Sequence, residues 1–407
     1  MMDLKLSHDQ ENAMAAVLNN PTQNFFITGS AGTGKSLLLK KLQEILGCPV
    51  TASTGIAAVS IGGVTVHSYL GVGLANGTIA DCVKDARKYA PKRYIKRDLI
   101  IDEISMLSAE FIDKIDAVAK FMRRNHAAPF GGIRLIMFGD FMQLSPVAGK
   151  FAFTSAFWST IRTQQLTTVH RQKNSEFIKM LQEIRMGTLS AETVNAIKAC
   201  TRASNNDTKD TCLLLRSRND EVDAINTRGL ALLSGEEKIF TSVDSGSPTY
   251  LTHLHASSSI SLKVGVRIML LANLDVPRKL CNGSCGVVSE IKDNEIIVKF
   301  DSGIIVPIVR MLFKIEIDKV VVASRLQFPL RVAYAVTIHK SQGMSLDMAD
   351  IDFSNIFTAG QAYVALSRLR SIEGITLRNF SLDRILINPE ARDFYGSLES
   401  TGSALRS

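Results

Sequence analysis

The stretch GSAGTGKS, Gly29 to Ser36, has the spacing Gly-x-x-x-x-Gly-Lys-Ser. Its glycines let the backbone wrap closely around an anion, and its successive N–H groups, with the helix that follows, can bind one. Lys35 adds a cation that reaches β- and γ-phosphates, and Ser36 adds a hydroxyl suited to Mg2+. The binding segment is therefore Gly29, Ser30, Ala31, Gly32, Thr33, Gly34, Lys35 and Ser36. A second apolar run, Leu99-Ile100-Ile101, ends in Asp102 and Glu103. Asp102 can complete the Mg2+ shell opposite Ser36, and Glu103 can orient or deprotonate an attacking water. A third run, in FGDFMQLSPV, ends at Gly139-Asp140, and Gln143 three residues on can sense a γ-phosphate and position water. Charge developing on that phosphate calls for arginine. Arg171 in VHRQ and Arg368 in YVALSR are the candidates, although each alone also fits a surface ion pair.

Such a set needs a scaffold that brings strand ends together. NFFITG, DLIIDE and IRLIMFGD are continuous apolar runs, as in strands covered on both faces. SLLLKKLQEIL has helical spacing. This alternation predicts a parallel α/β sheet with ligands at the C-terminal strand ends. A Gly-rich stretch and a basic one, together about 62–97, interrupt it as a small insertion. A second α/β pattern begins near Gln165. SCGVVSEIKDNEIIVKFDSGIIVPI then reads as three β-rich runs, a small antiparallel barrel or sheet, before the α/β texture returns near Leu330. After Glu103, the residues Phe111, Ile112, Ile115, Val118, Ala119 and Met122 share one helical face. Glu110 with Lys114 and Asp116 with Lys120 make i,i+4 pairs on the other.

The 407 residues suffice for two to four domains. The net charge of +8 suits an anionic partner such as nucleic acid. No apolar run has the roughly 18 residues of a membrane helix, and the N-terminus resembles neither a secretory signal nor a transit peptide, so the expected location is intracellular. The six cysteines make no zinc pattern and no dense disulfide framework, and Cys281 and Cys285 flank a turn.

Taken in order, these motifs resemble the Pif (petite integration frequency) family of DNA helicases in superfamily 1, group B. Gln10 in LSHDQENA matches an adenine-contacting glutamine. GSAGTGKS, ASTGIAA, TVHS, IIDEISM, GDFMQLSPV, VHRQ, TIHKSQGMSLD and QAYVALSR follow in the family's order. EISMLSAEFIDKIDAVAKFMRR is similar to its signature segment, whereas Ser145 stands where a second proline is usual. The resemblance implies two RecA-like P-loop lobes, at 1–165 and at 166–245 plus 326–407. It also implies a wedge insertion in the first lobe and an SH3-like β-barrel, 246–325, in the second. ATP and Mg2+ are the implied cofactors, with Gln342 and Gly343 also assigned to ATP. Thr54, His67, Thr337 and Lys340 are matched to DNA contact; the role of His339 stays open. The implied activity is 5′-to-3′ unwinding on single-stranded DNA and junctions, with G-quadruplexes or DNA–RNA hybrids as further substrates, by a monomer or a dimer formed on DNA. The implied setting is the nucleus, mitochondrion or infected-cell cytoplasm. Polarity comes from the resemblance alone. A 3′-to-5′ relative, or an ATPase remodeller that never separates strands, stays open from the residues themselves.

Overall fold

The computed structural model describes residues 5–202, 212–252, 254, 256–275, 277–278, 280–317 and 320–404. They form two compact units. The first runs to Arg171 and resumes at Ile387; the second spans Gln172–Leu386. The second unit is therefore inserted into the chain of the first.

The first unit contains α1 (His8–Asn19), β1 (Asn24–Gly29), α2 (Lys35–Leu46), β2 (Val50–Ala52), α3 (Gly55–Ser60) and β3 (Val64–Thr65). There follow α4 (Val66–Leu70), α5 (Ile79–Tyr89), β4 (Asp98–Asp102), α6 (Ala109–Arg123), β5 (Arg134–Gly139) and β6 (Ile161–Leu166). The six strands make one parallel sheet in the order β3-β2-β4-β5-β1-β6. Every residue of β1, β4 and β5 is buried, as their uninterrupted apolar runs require. On one face Phe25 and Ile27 share a core with Val17 of α1 and Leu38, Leu39 and Leu42 of α2. Full burial of each such side chain contributes roughly 1.5–3 kcal/mol. On the other face the Phe26 ring lies 5.0 Å from Phe141 and 5.2 Å from Trp158.

The α6 helix carries its predicted face: Phe111, Ile112, Ile115, Val118 and Ala119 are buried, whereas Met122 is half-buried. Ser108 caps it by accepting from the Phe111 N–H at 3.1 Å. The Asp116–Lys120 pair forms at 2.7 Å. Lys114 instead donates to the carbonyls of Ala75 and Gly77, at 2.6 and 2.8 Å, two bonds in place of one weak ion pair with an exposed carboxylate.

The second unit holds α7 (Ser175–Met186), α8 (Ala191–Ala199), β7 (Leu213–Arg216), α9 (Asn219–Ala231), β8 (Lys238–Thr241), β9 (Val243–Gly246), α10 (Pro248–Leu251), β10 (Ser259–Leu262) and β11 (Arg267–Leu270). It continues through β12 (Cys285–Ile291), β13 (Glu295–Phe300), β14 (Ile305–Val309), β15 (Met311–Ile317), β16 (Val320–Gln327), β17 (Leu330–Val332), β18 (Ala335–Thr337), β19 (Ala349–Asp352), α11 (Gln361–Leu366) and β20 (Ile375–Arg378). A parallel sheet, β18-β7-β19-β20, forms its α/β part. Buried Asp350 ties this sheet together, accepting from Arg378 Nε at 2.6 Å and Arg216 Nη1 at 3.2 Å. Between β7 and β18 lie three antiparallel sheets, β14-β13-β12-β11-β17, β15-β16-β9 and β10-β8. Phe240, Ile268, Val298, Phe300 and Phe328 fill the core between some of these strands.

Two predicted boundaries differ from this architecture. The stretch 62–97 is not wholly an insertion, because Val64–Thr65 is the edge strand of the main sheet, paired with β2. A two-residue strand carries too little pattern to read. The chain from Ile387, predicted within the second lobe, instead belongs to the first unit, where it forms α12 (Pro389–Ala404). Among the described residues no helix is long and apolar enough to cross a membrane.

Candidate active site

Parallel register aligns the ends of the first unit's strands. Thr28 of β1 pairs with Gly139 of β5, Ile101 of β4 with Met137 of β5, and Ala52 of β2 with both Asp102 and Thr65. The segments leaving this edge therefore carry, across the sheet, His67, Thr54, Glu103, Gln143 and the Gly29–Ser36 loop. Neighbouring strands are about 4.8 Å apart, so the ends of β1, β5 and β4, from which these segments leave, lie within ~10 Å of one another. Thr54 and His67 leave the far side of the same edge.

The phosphate loop is held from several sides. Gly34 caps α2 with φ +77°, and a Cβ there would meet Gln10 Nε2 at 2.2 Å. Gln10 is fully buried. Its amide donates to the Thr33 carbonyl at 2.9 Å and accepts from the Ser7 N–H at 3.0 Å. Thus the amide matched to adenine recognition here braces the loop and the start of α1. Lys35 Nζ donates to the carbonyls of Gly29 and Ser30 at 2.7 and 3.1 Å, which folds the ammonium into the loop's own curve. Ser36 is exposed on the first turn of α2, and Ala31 and Thr33 are buried. The His170 N–H donates to Gly32 O at 2.8 Å. Nearby, Asp9 accepts from the N–H groups of Thr167 and Thr168 at 2.7 and 2.8 Å. Partial burial raises the Asp9 pKa, but these bonds and one from Ser7 outweigh it and hold the carboxyl at about 2.

Asp102 is buried at the end of β4, and Glu103 follows with φ +52° and ψ +46°. For a residue with a Cβ this left-handed conformation costs ~1–2 kcal/mol. It turns the chain so that the Glu103 N–H donates to Asp102 Oδ1 at 2.9 Å. Burial, and then the Glu103 charge, push the Asp102 carboxyl up to about 7, against the opposing pull of the Glu103 N–H and Lys35. A buried carboxyl whose charge is this disfavoured, followed by a half-buried glutamate and within electrostatic reach of the loop lysine, fits a hard divalent cation. The oxygen donors of Asp102 and Ser36 match Mg2+ chemistry. Gln143 is 5% exposed and sits in a tight turn, its N–H donating to Asp140 O at 3.0 Å.

Thr54 Oγ1 accepts from the Ala57 N–H at 3.2 Å and so caps α3. The His67 ring lies 4.2 Å from Phe111 at 30°, and burial lowers its pKa, keeping it neutral. Arg171 is half-buried at the end of the first unit's leading segment.

The second unit holds the remaining candidates. Arg368 is 2% exposed, its Nε donating to Val364 O and its Nη2 to Ser367 Oγ, both at 2.8 Å. Gln172 brackets that arginine by donating to the carbonyls of Ser367 and Leu369, at 3.2 and 2.7 Å. Thr337 is buried and accepts from the Lys340 N–H at 3.3 Å. Burial and the nearby Arg331 charge lower the Lys340 pKa, and burial lowers that of half-buried His339. Gln342 is half-buried, and Gly343, at φ +82°, faces open space. Cys281 and Cys285 are free thiols, and burial pushes that of Cys285 up to about 12. Sequence patterns do not single out Gln172 or Asp9, and they mark Asp140 only as a strand end. Each acts through backbone groups, and only adjacency to a motif hints at it.

A parallel sheet with a phosphate loop after its first strand, and an acid pair ending another strand, defines a RecA-like P-loop fold. Comparison with known proteins gives the family. The profile of the PIF1-like helicase family matches residues 5–195, and that of the DNA helicase Pif1 2B domain matches 252–291. The chain is 38% identical to the ATP-dependent DNA helicase PIF1 of Xenopus laevis over 97% of its own length and 65% of that protein's. Pif1 helicase from Candida albicans superimposes with a TM-score of 0.77 at 36% identity, over 97% of this chain and 100% of that one. Bacteroides sp Pif1, in complex with ADP-AlF4, gives 0.87 at 30% identity over 98% of both chains. Bacteroides Pif1 has also been solved bound to ssDNA, at 31% identity, with a TM-score of 0.66 over 98% of both. The chain belongs to the PIF1-like helicase family. It spans about 65% of the length of the Xenopus relative.

Proposed function

We propose that this chain is the motor of an ATP- and Mg2+-dependent DNA helicase that moves 5′-to-3′ on single-stranded DNA. The observation that carries the reading is buried Asp102, followed by half-buried Glu103, at a strand end aligned through β5 with the strand that leads into the phosphate loop. In this reading Asp102 and Ser36 hold Mg2+, and Gly29 to Lys35 cradle the triphosphate with Gln342 and Gly343. Glu103 activates water, Gln143 orients it, and Gln10 serves the nucleotide side of the loop. Arg171 and Arg368 stabilise charge on the γ-phosphate. Thr54, His67, Thr337 and Lys340 contact the DNA strand. A neutral His67 suits stacking or a hydrogen bond better than a phosphate ion pair. Mg2+ when bound neutralises developing charge on the phosphates.

The antiparallel insertion is read as SH3-like and part of the segment after Val66 as a wedge against duplex. Single-strand/duplex junctions are the working substrate, with G-quadruplexes and hybrids as further ones. The chain acts inside the cell, as a monomer or as a dimer on DNA. The test is unwinding of duplexes with a single 5′ or 3′ tail, with ATP and Mg2+. The 5′-tailed duplex is expected to be opened in preference; preference for the 3′ tail overturns the polarity, and ATPase activity indifferent to single strands overturns the motor.

A further inference from the structure

The turn that carries Gln143 has three backbone N–H groups, at Phe141, Met142 and Gln143, all in residues no more than 5% exposed. Buried donors must be satisfied. Asp140 takes two of them: its side chain accepts from the Met142 N–H at 3.1 Å and its carbonyl from the Gln143 N–H at 3.0 Å. The third partner comes from far along the chain. The Phe141 N–H donates to the Tyr395 hydroxyl at 3.1 Å. That hydroxyl also makes a 2.6 Å hydrogen bond with Thr28 Oγ1, which is itself fully buried one residue before the phosphate loop. One phenol thus links the ends of β1 and β5 where they enter the loop and the Gln143 turn.

The rest of α12 is built to hold that phenol in place. Asn388 starts the helix, its side chain accepting from the Glu390 N–H at 2.9 Å, with Pro389 at the first position. Phe394 stacks on Phe153 at 4.6 Å and 14°, and meets Phe141 edge-on at 5.4 Å. Tyr395 is 1% exposed.

We infer that Tyr395 is a positioning residue for ATP hydrolysis, acting through the turn that holds Gln143, and that α12 is therefore part of the first unit's ATPase machinery. The inference rests on the proposed function, since it assigns Gln143 to the attacking water. Tyr395→Phe keeps the ring and its packing but leaves the Phe141 N–H and the Thr28 hydroxyl without their shared partner. A Gln143 turn released from that anchor misplaces the amide, and misplacement by an ångström costs up to ~10²-fold in rate.

The experiment measures DNA-stimulated ATPase kinetics of the full chain, well below its unfolding temperature, for wild type, Lys35→Ala, Tyr395→Phe, Gln143→Ala and the Tyr395→Phe/Gln143→Ala double variant. Tyr395→Phe is expected to lower kcat about tenfold with KM for ATP within about twofold, and to cause no further loss once Gln143 is gone. A purely structural role predicts equal losses in both backgrounds, and that result overturns the inference, as does kcat within twofold of wild type. If Tyr395→Phe does not fold, Thr28→Val, which removes one of the two hydroxyls, decides in its place. It is expected to lower kcat about threefold in the wild-type background and not at all in Gln143→Ala, and an unchanged kcat overturns the inference. A wild type without turnover, or a fully active Lys35→Ala, overturns the ATPase reading and this inference together. A dead Lys35→Ala with a normal Tyr395→Phe overturns this inference alone.

Discussion

The two units of this chain position their candidate residues by different means. In the first, one parallel sheet sets the site: register lines up the strand ends, Asp102 stands at one of them, Thr54, His67, Glu103 and Gln143 stand one to four residues beyond, and Lys35 and Ser36 lie further along the loop that leaves Gly29. In the second, the candidates are held by short-range bonds of their own segments, Arg368 to Val364 and Ser367, and Thr337 to the Lys340 N–H. A register-built site tolerates change in any one loop but depends on the whole sheet. A site built from local bonds depends on each side chain and its nearest neighbours.

Breaking the chemistry of the first unit without touching its sheet gives the largest effect. Glu103→Gln keeps size and backbone but cannot accept a proton, so hydrolysis is expected to fall ~10²–10⁴-fold while ATP binding persists. Equilibrium binding beside single-turnover hydrolysis checks this, and near-normal hydrolysis removes Glu103 from the role. Breaking the second unit calls for the opposite move, against its sheet. Asp350→Ala strips the partner from buried Arg216 and Arg378, at a cost of about 3–5 kcal/mol read in denaturant titration. The first unit's sheet has a buried pair of its own, Arg134 Nε with Asp98 at 2.7 Å, but it joins the starts of β4 and β5, at the end of the strands opposite the site; a loss under about 1 kcal/mol from Asp350→Ala sinks the contrast.

The acid pair sharpens the comparison through pH. The folded Asp102 carboxyl is raised from 3.8 to about 7, so without Mg2+ it contributes stability that is full below about 4 and lost as pH rises through about 7. Mg2+ displaces the proton, so its affinity is expected to rise across the same window. Thermal unfolding of the Mg2+-free chain between pH 5 and 8 measures this, and Asp102→Asn should flatten the slope. An unchanged slope in that variant assigns the dependence elsewhere. The smallest effect comes from the backbone. Glu103→Gly relieves the left-handed strain and, after the extra entropy of the unfolded glycine, should stabilise the chain by roughly 0.5–1 kcal/mol while abolishing hydrolysis. Loss of stability instead would show that Glu103's side-chain contacts outweigh the strain.

Much of the site was legible because the spacing that binds phosphate is local. Gly29 to Ser36, the acids ending β4 and the Gly139–Gln143 turn each lie within a few residues, and their flanking apolar runs are wholly buried strands. The buried face of α6 followed from helical period for the same reason. What period cannot show is which surface a segment seeks. Lys114 prefers two distant carbonyls to Glu110, and Gln10 spends its amide on Thr33 and Ser7. The helix after Pro389 has ordinary helical texture, and nothing in its wording points to β1 rather than to the second unit, which precedes it in the chain. Tyr395 is 367 residues from Thr28, beyond any motif.

That separation has a consequence in biosynthesis. The ribosome releases Thr28 long before Tyr395, and at ~5–20 residues per second the gap of 367 residues lasts between about 20 and 70 s. Throughout that interval the nascent first unit has its phosphate loop and acids but not the helix that closes the aromatic face of its sheet. Phe26, Phe141 and Trp158 can already pack on one another in that interval, but the contacts of all three with Phe394 wait for α12 to emerge.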